Sequence, residues 1–319
     1  MTRSFNERAP FVAEVRQEEQ TPMDGLATST IAKLARPSGA LAMVAIDQRE
    51  SLRAMFAEVR GGAISDETLV RFKEAVTETL APLASAMLFD RHFGLSSFDL
   101  AGRIAPGCGR MMAADALTQA LGHPVEDTDI DEAVIPDEAR ARGAVALKLL
   151  LIWRPDATRS RNVDIARRFM ERSRQAGLLG IVEAVVRPTE SASREALIVD
   201  AARELAAVGP DLYKCEVPFH GKESDAALAD TCAEIASVTA GPWVVLSQGV
   251  PADRFARSVE IACSRGASGF LAGRAIWADT IRNDDYAAQI RSTSVARLRD
   301  LIAIVDAAMA DGKGRAGVA

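Results

Sequence analysis

Short apolar runs alternate with longer amphipathic stretches through most of the chain. The runs cover residues 40–47, 85–90, 110–114, 145–153, 179–186, 211–217, 243–249 and 269–273. All have the length of a strand. Between them, residues 66–83, 162–176, 194–208, 224–238 and 253–265 repeat apolar positions at helical spacing. Gly177, Gly209 and Gly266 stand where three of these helices should stop, since glycine accepts the left-handed turn that ends a helix. Strands alternating with helices imply a parallel sheet. Eight such strands close a barrel, so the predicted fold class is α/β: a single (β/α)8 TIM barrel with an N-terminal extension and a C-terminal helix. An open doubly wound sheet would carry a glycine-rich turn after its first strand. Here that strand runs into Asp47, Gln48 and Arg49 instead.

The edges of the chain read differently. Residues 1–28 are polar and aperiodic, and predict a mobile extension. The barrel domain is expected over residues 29–319, with its last helix at 295–310 and a frayed tail at 312–319.

Composition narrows the function. At 319 residues, the chain exceeds the roughly 250 that a barrel of this type needs. Apolar residues make up 48% and charged residues 26%, the balance of a soluble globular protein. A net charge of −6 argues against nucleic acid as partner, and no apolar run is long enough to cross a bilayer. Small anionic substrates remain open, because a local cationic pocket decides that. Cys108, Cys215, Cys232 and Cys263 lack paired metal spacing and suit a reducing cytoplasm. His92, His123 and His220 are scattered without ligand spacing, so no metal is expected; His92 and His220 follow strands and could reach the rim.

In a parallel barrel the chemistry gathers at the C-terminal ends of the strands. Polar residues collect there. The first strand ends in Asp47, Gln48 and Arg49, and the second in Asp90. Lys148, Glu183 and Lys214 each interrupt an apolar strand. Buried charges are costly when unpaired, so these three are expected to neighbour one another in the barrel mouth, as a catalytic cluster or as a structural ion network. Lys214 lies within Asp211-Leu-Tyr-Lys-Cys-Glu-Val-Pro218. A lysine that loses solvation favours the neutral amine, the form that attacks carbonyls. The alternative is a strand-end lysine reaching solvent. Ser247 and Gly249 after one strand, with Gly273 and Arg274 after the next, suit the small-residue turns that cradle a phosphate in such barrels; the alternative is a pair of ordinary glycine turns with a surface arginine.

Several phrases resemble the class I aldolase family of tagatose-1,6-bisphosphate aldolase. They are Ala45-Ile-Asp-Gln-Arg49, Lys148-Leu-Leu-Leu-Ile-Trp-Arg154, Glu183-Ala-Val-Val-Arg-Pro188, Leu246-Ser-Gln-Gly-Val250 and Phe270-Leu-Ala-Gly-Arg-Ala-Ile-Trp277. The likeness is greatest to the branch that cleaves 6-deoxy-6-sulfofructose 1-phosphate, although residues 91–96 look more like the tagatose-type enzymes. The resemblance implies a metal-independent enzyme without a cofactor. It implies a covalent imine on Lys214, Glu183 as acid/base, Lys148 as neighbouring cation and Asp47 as a proton relay or orienter of hydroxyls. It implies a phosphate site at Ser247, Gly249, Gly273 and Arg274; Asp90, singled out by its place at a strand end, is a further candidate for substrate contact. Gln48 and Arg49 are candidates for the distal end of the sugar, with Arg49 alternatively pairing with a carboxylate beneath the site. Gln248 departs from the small residue expected there. The implied reaction yields dihydroxyacetone phosphate and 3-sulfolactaldehyde. The alternatives are the same cleavage of tagatose or fructose 1,6-bisphosphate or another ketose 1-phosphate, and a non-catalytic sugar-phosphate sensor. A homo-oligomer is expected by analogy.

Overall fold

The structure, a computed structural model, describes residues 30–94, 104, 107–119, 123–188 and 192–312. The expected extension at 1–28 lies outside the described residues, as does the tail beyond Gly312. In chain order, β1 (Leu41–Ala45) leads to α1 (Glu50–Arg60), α2 (Asp66–Leu80), β2 (Ala86–Phe89) and β3 (Gly109–Ala113). A hairpin of β4 (Asp115–Thr118) and β5 (Asp127–Ile130) follows, then the short α3 (Pro136–Ala141) and β6 (Ala146–Trp153). Next come α4 (Thr158–Gln175), β7 (Leu179–Val186), α5 (Arg194–Ala206), β8 (Leu212–Glu216) and α6 (Asp225–Val238). The chain ends with β9 (Trp243–Leu246), α7 (Ala252–Ser264), β10 (Gly269–Ala272), α8 (Arg274–Trp277), α9 (Tyr286–Gln289) and α10 (Val295–Ala310).

Eight of these strands close a parallel barrel in the ring order β1-β10-β9-β8-β7-β6-β3-β2. They are the eight strands the apolar runs predict. Several elements were not expected, among them two that border the site. Helix α1 begins directly after Arg49, and the antiparallel β4–β5 hairpin stands in the connection from β3 to β6. Several helices start as their sequences suggest. Ser65, Ser193 and Ser224 accept from backbone N–H groups three residues on, which satisfies donors at the starts of α2, α5 and α6.

Alternation along the strands divides the core into two layers. Ala42 and Val44 of β1 face the helices, whereas Leu41, Met43 and Ala45 face the lumen. The lumen floor is apolar, built from residues such as Met111, Ala146, Ile181, Leu212 and Leu271. Two residues further along three of those strands stand Lys148, Glu183 and Lys214. The dry plug therefore ends where the charged layer begins. Register fixes this, since Glu183 is paired directly with Lys214 and Lys148 with Ala113. Among the described residues no helix is long and apolar enough to cross a membrane.

Candidate active site

A cavity of about 530 Å³ opens above the plug. Its lining includes Asp47, Gln48, Arg49, Asp115, Lys148, Glu183, Lys214, Gln248, Gly249 and Arg274. Lys148, Glu183 and Lys214 are 1%, 6% and 4% exposed. Lys214 Nζ donates to Glu183 Oε2 at 2.9 Å. The same carboxylate oxygen lies 3.5 Å from Lys148 Nζ. Lys148 Nζ also meets Asp47 Oδ2 and Asp115 Oδ2, both at 2.8 Å. The expected grouping of the three charges from successive strands is thus present, and Asp47 and Asp115 complete it.

These surroundings set the charge states. Burial penalises the Lys148 ammonium, yet Asp115, Asp47 and Glu183 outweigh that and hold its pKa well above the usual lysine range. Burial alone would raise the Asp47 carboxyl. The ammonium groups of Lys148 and Lys214 reverse the sign and hold it well below the usual carboxylate range. Both groups are charged at neutral pH.

The segment after β1 is clamped from below. Lys73 of α2 donates to the backbone oxygens of Ile46 and Gln48, at 2.5 and 2.7 Å, and to Asp90 Oδ1 at 2.5 Å. Lys73 and Asp90 are fully buried, and the other Asp90 oxygen accepts from the Phe93 N–H. This corrects the expectation for Asp90. It ends its strand as Asp47 does, but it does not line the cavity, because both of its oxygens are engaged beneath it. Arg49 is likewise committed. Its two terminal nitrogens donate to the Asp115 backbone oxygen and to Asp115 Oδ1, at 2.9 and 3.0 Å. Pairing with a carboxylate, the alternative weighed for this residue, is what the structure shows. Gln48 faces the cavity with its buried Oε1 unpartnered among the described residues.

On the opposite wall, Ser247 Oγ accepts from the Ala275 N–H at 3.4 Å, which ties the β9 turn to the start of α8. A Cβ on Gly273 would lie 2.4 Å from the Ala45 backbone oxygen, and one on Gly249 would lie 2.4 Å from His220 Nδ1. Both turns therefore need glycine for close approach. His220 packs beneath the turn and does not line the cavity; neither does His92, while His123 does. Gln248 points inward, and its Oε1 accepts from Arg274 Nη2 at 3.0 Å. The larger amide thus steadies the arginine. Burial lowers the Arg274 pKa, while Glu183 and Asp47 favour its charge.

Three contributors escaped the sequence reading. Asp115 opens a polar hairpin strand with no apolar run to flag it. Lys73 sits in an amphipathic helix, where a lysine ordinarily faces water. Arg187 follows β7 and lines the cavity, and only the alternation Glu183, Val185, Arg187 could have marked it. Among the described residues no group of three or more His, Cys, Asp or Glu side chains could hold a metal ion.

A parallel barrel with two buried lysines interleaved among carboxylates at its mouth places two amines where chemistry gathers in such folds. Residues 41–279 match the model described as DeoC/LacD family aldolase, and the chain belongs to that family. It is a class I aldolase, a carbon–carbon lyase. The chain is 27% identical over 277 residues to tagatose 1,6-diphosphate aldolase of Listeria monocytogenes serotype 4a, covering 78% of this chain and 80% of the relative. It is 29% identical over 274 residues to tagatose 1,6-diphosphate aldolase 1 of Enterococcus faecalis, covering 76% and 81%. The fold is similar to that of fructose-bisphosphate aldolase from Plasmodium falciparum, with a TM-score of 0.65 at 14% identity over 86% of this chain and 92% of that one. An archaeal fructose-1,6-bisphosphate aldolase gives a TM-score of 0.57 at 14% identity, covering 84% and 98%.

Proposed function

We propose that this chain cleaves a ketohexose bisphosphate, tagatose or fructose 1,6-bisphosphate, between C3 and C4 through an imine on Lys214. The relatives named for tagatose 1,6-diphosphate support this substrate over the sulfofructose phosphate expected from the sequence. The observation that carries the assignment is the unequal setting of two buried lysines. Lys148 is enclosed by three carboxylates and stays an ammonium without a free lone pair. Lys214 has one carboxylate within 4.0 Å among the described residues, Glu183, which can take its proton.

Lys214 Nζ then attacks the C2 carbonyl. The carbinolamine loses its hydroxyl as water, with the proton returned from Glu183, and an iminium forms. Removal of the C4 hydroxyl proton by Glu183 lets the C3–C4 bond break. Its electron pair moves toward the iminium nitrogen, giving an enamine while the aldehyde half departs. Protonation at C3 and hydrolysis release dihydroxyacetone phosphate and restore the amine. Asp47, held ionised, orients substrate hydroxyls together with Lys148. Ser247, Gly249, Gly273 and Arg274 hold the C1 phosphate, so binding far from the breaking bond positions it. The four free cysteines, three of them buried, favour a cytoplasmic setting.

Borohydride reduction with dihydroxyacetone phosphate tests the scheme. The adduct should map to Lys214 and vanish in Lys214→Met. An adduct on Lys148, or activity lost to a chelator and restored by zinc, would overturn it.

A further inference from the structure

Five permanent or buried cations line the cavity: Arg49, Lys148, Arg187, Lys214 and Arg274. Three are matched by carboxylates. Lys148 meets Asp47, Asp115 and Glu183; Lys214 meets Glu183; Arg49 meets Asp115. Among the described residues no carboxylate lies within 4.0 Å of the guanidinium of Arg187 or Arg274. Arg274 belongs to the C1 phosphate site above. Arg187 has no assigned task.

Its placement is specific. Glu183, Val185 and Arg187 alternate along one edge and all face the cavity. Arg187 continues the strand geometry, since its N–H donates to the Trp153 oxygen at 3.0 Å. It therefore stands about 13 Å further along the wall than Glu183, at the usual rise of an extended chain. Val185, Leu150 and Ile152 line the wall between them. Two backbone carbonyls orient the guanidinium. Nη2 donates to the Val125 oxygen at 2.9 Å and Nη1 to the Val186 oxygen at 3.3 Å. Such contacts aim the fork without neutralising it, and an arginine does not give up its proton here. In the ring, β7 and β10 are three steps apart with β8 and β9 between them. The two unmatched arginines thus stand on separate walls, with Lys214 on a strand that separates them.

We propose that Arg187 is the specificity-determining residue of the distal subsite. It receives a tetrahedral oxyanion, phosphate ester or sulfonate, on the substrate carbon remote from the imine. Gln119 and His123, which line the same end of the cavity from the hairpin loop, complete the subsite. This rests on the imine-forming reading of Lys214. Arg49 is the less suited candidate, because Asp115 already neutralises it.

The test compares kcat and KM of wild type, Arg187→Met and Arg187→Lys on three ketoses. These are fructose 1,6-bisphosphate, 6-deoxy-6-sulfofructose 1-phosphate and fructose 1-phosphate, which has no anion at C6. Loss of a charged hydrogen bond predicts a rise of about 10- to 100-fold in KM for the two doubly anionic substrates in Arg187→Met. KM for fructose 1-phosphate should not change, and Arg187→Lys should recover part of the loss. The wild-type ratio of the first two substrates identifies the preferred oxyanion. Equal losses on all three substrates, or no loss on the doubly anionic pair, would overturn the proposal. Trapping with dihydroxyacetone phosphate separates the two readings, because that ligand lacks the distal end. If wild type fails to trap it, the imine reading falls; if wild type and Arg187→Met trap alike and the KM pattern stays flat, only the distal subsite falls.

Discussion

Glu183 stands between two lysines and is closer to the one with fewer partners. Its Oε2 lies 2.9 Å from Lys214 and 3.5 Å from Lys148. On the proposed reading of Lys214 as the imine-forming amine, that asymmetry makes Glu183 the carboxylate placed to move its protons, while Asp47 and Asp115 hold Lys148 charged. Replacing it by glutamine keeps the shape and removes the base. Glu183→Gln should lower kcat by about 10²- to 10⁴-fold, the usual worth of a positioned acid/base group, as read in steady-state cleavage. Lys148, Glu183 and Lys214 were legible in the sequence because each interrupts an apolar strand. Asp90 misled for the same kind of reason. Its place at a strand end matched that of Asp47, and nothing in the sequence announced that Lys73 would rise from α2 to claim it.

Individual elements set how tightly this chemistry is held. The turns after β9 and β10 are built on close approach rather than on side chains. Gly273 sits where a methyl group would press on the Ala45 oxygen and on the Trp277 ring. Gly273→Ala should therefore destabilise the fold by about 1–3 kcal/mol, the cost of forcing bulk into a packed site. It should also raise KM for the phosphorylated substrate; urea unfolding and steady-state kinetics check the two effects. The eight barrel strands and the main helices were legible from periodicity. The hairpin was not, because Asp127-Thr-Asp-Ile130 reads as loop and becomes a strand only by pairing with β4. Its importance is out of proportion to its signal, since it supplies Asp115 and walls the distal end of the cavity.

For the molecule as a whole, the buried cluster couples catalysis to stability. The folded Asp47 pKa is depressed. Its contribution is complete above the unfolded value of about 3.9, and is lost as the pH falls toward the folded value. The folded Lys148 pKa is raised. Its contribution is complete below the unfolded value of about 10.4, and is lost as the pH rises toward the folded value. Stability from these two groups should therefore be flat across neutral pH and decline at both extremes. Denaturant titrations over acidic pH should show Asp47→Asn losing less stability than wild type in the acid range. Lys148→Met should show the corresponding flattening on the alkaline side.

The order of apolar runs by itself determined the barrel, because strands buried on both faces and helices buried on one face leave different periodicities. It also determined which charged residues would enter the lumen, since a charge inside an apolar strand has few other places to go. Only the tertiary structure decided which charges meet. It joined Asp115 to Lys148 and Arg49, buried Asp90 under Lys73, and left Arg187 and Arg274 without carboxylate partners among the described residues. Coulombic pairing depends on separation in space, and barrel closure sets separations between strands that lie far apart in the chain.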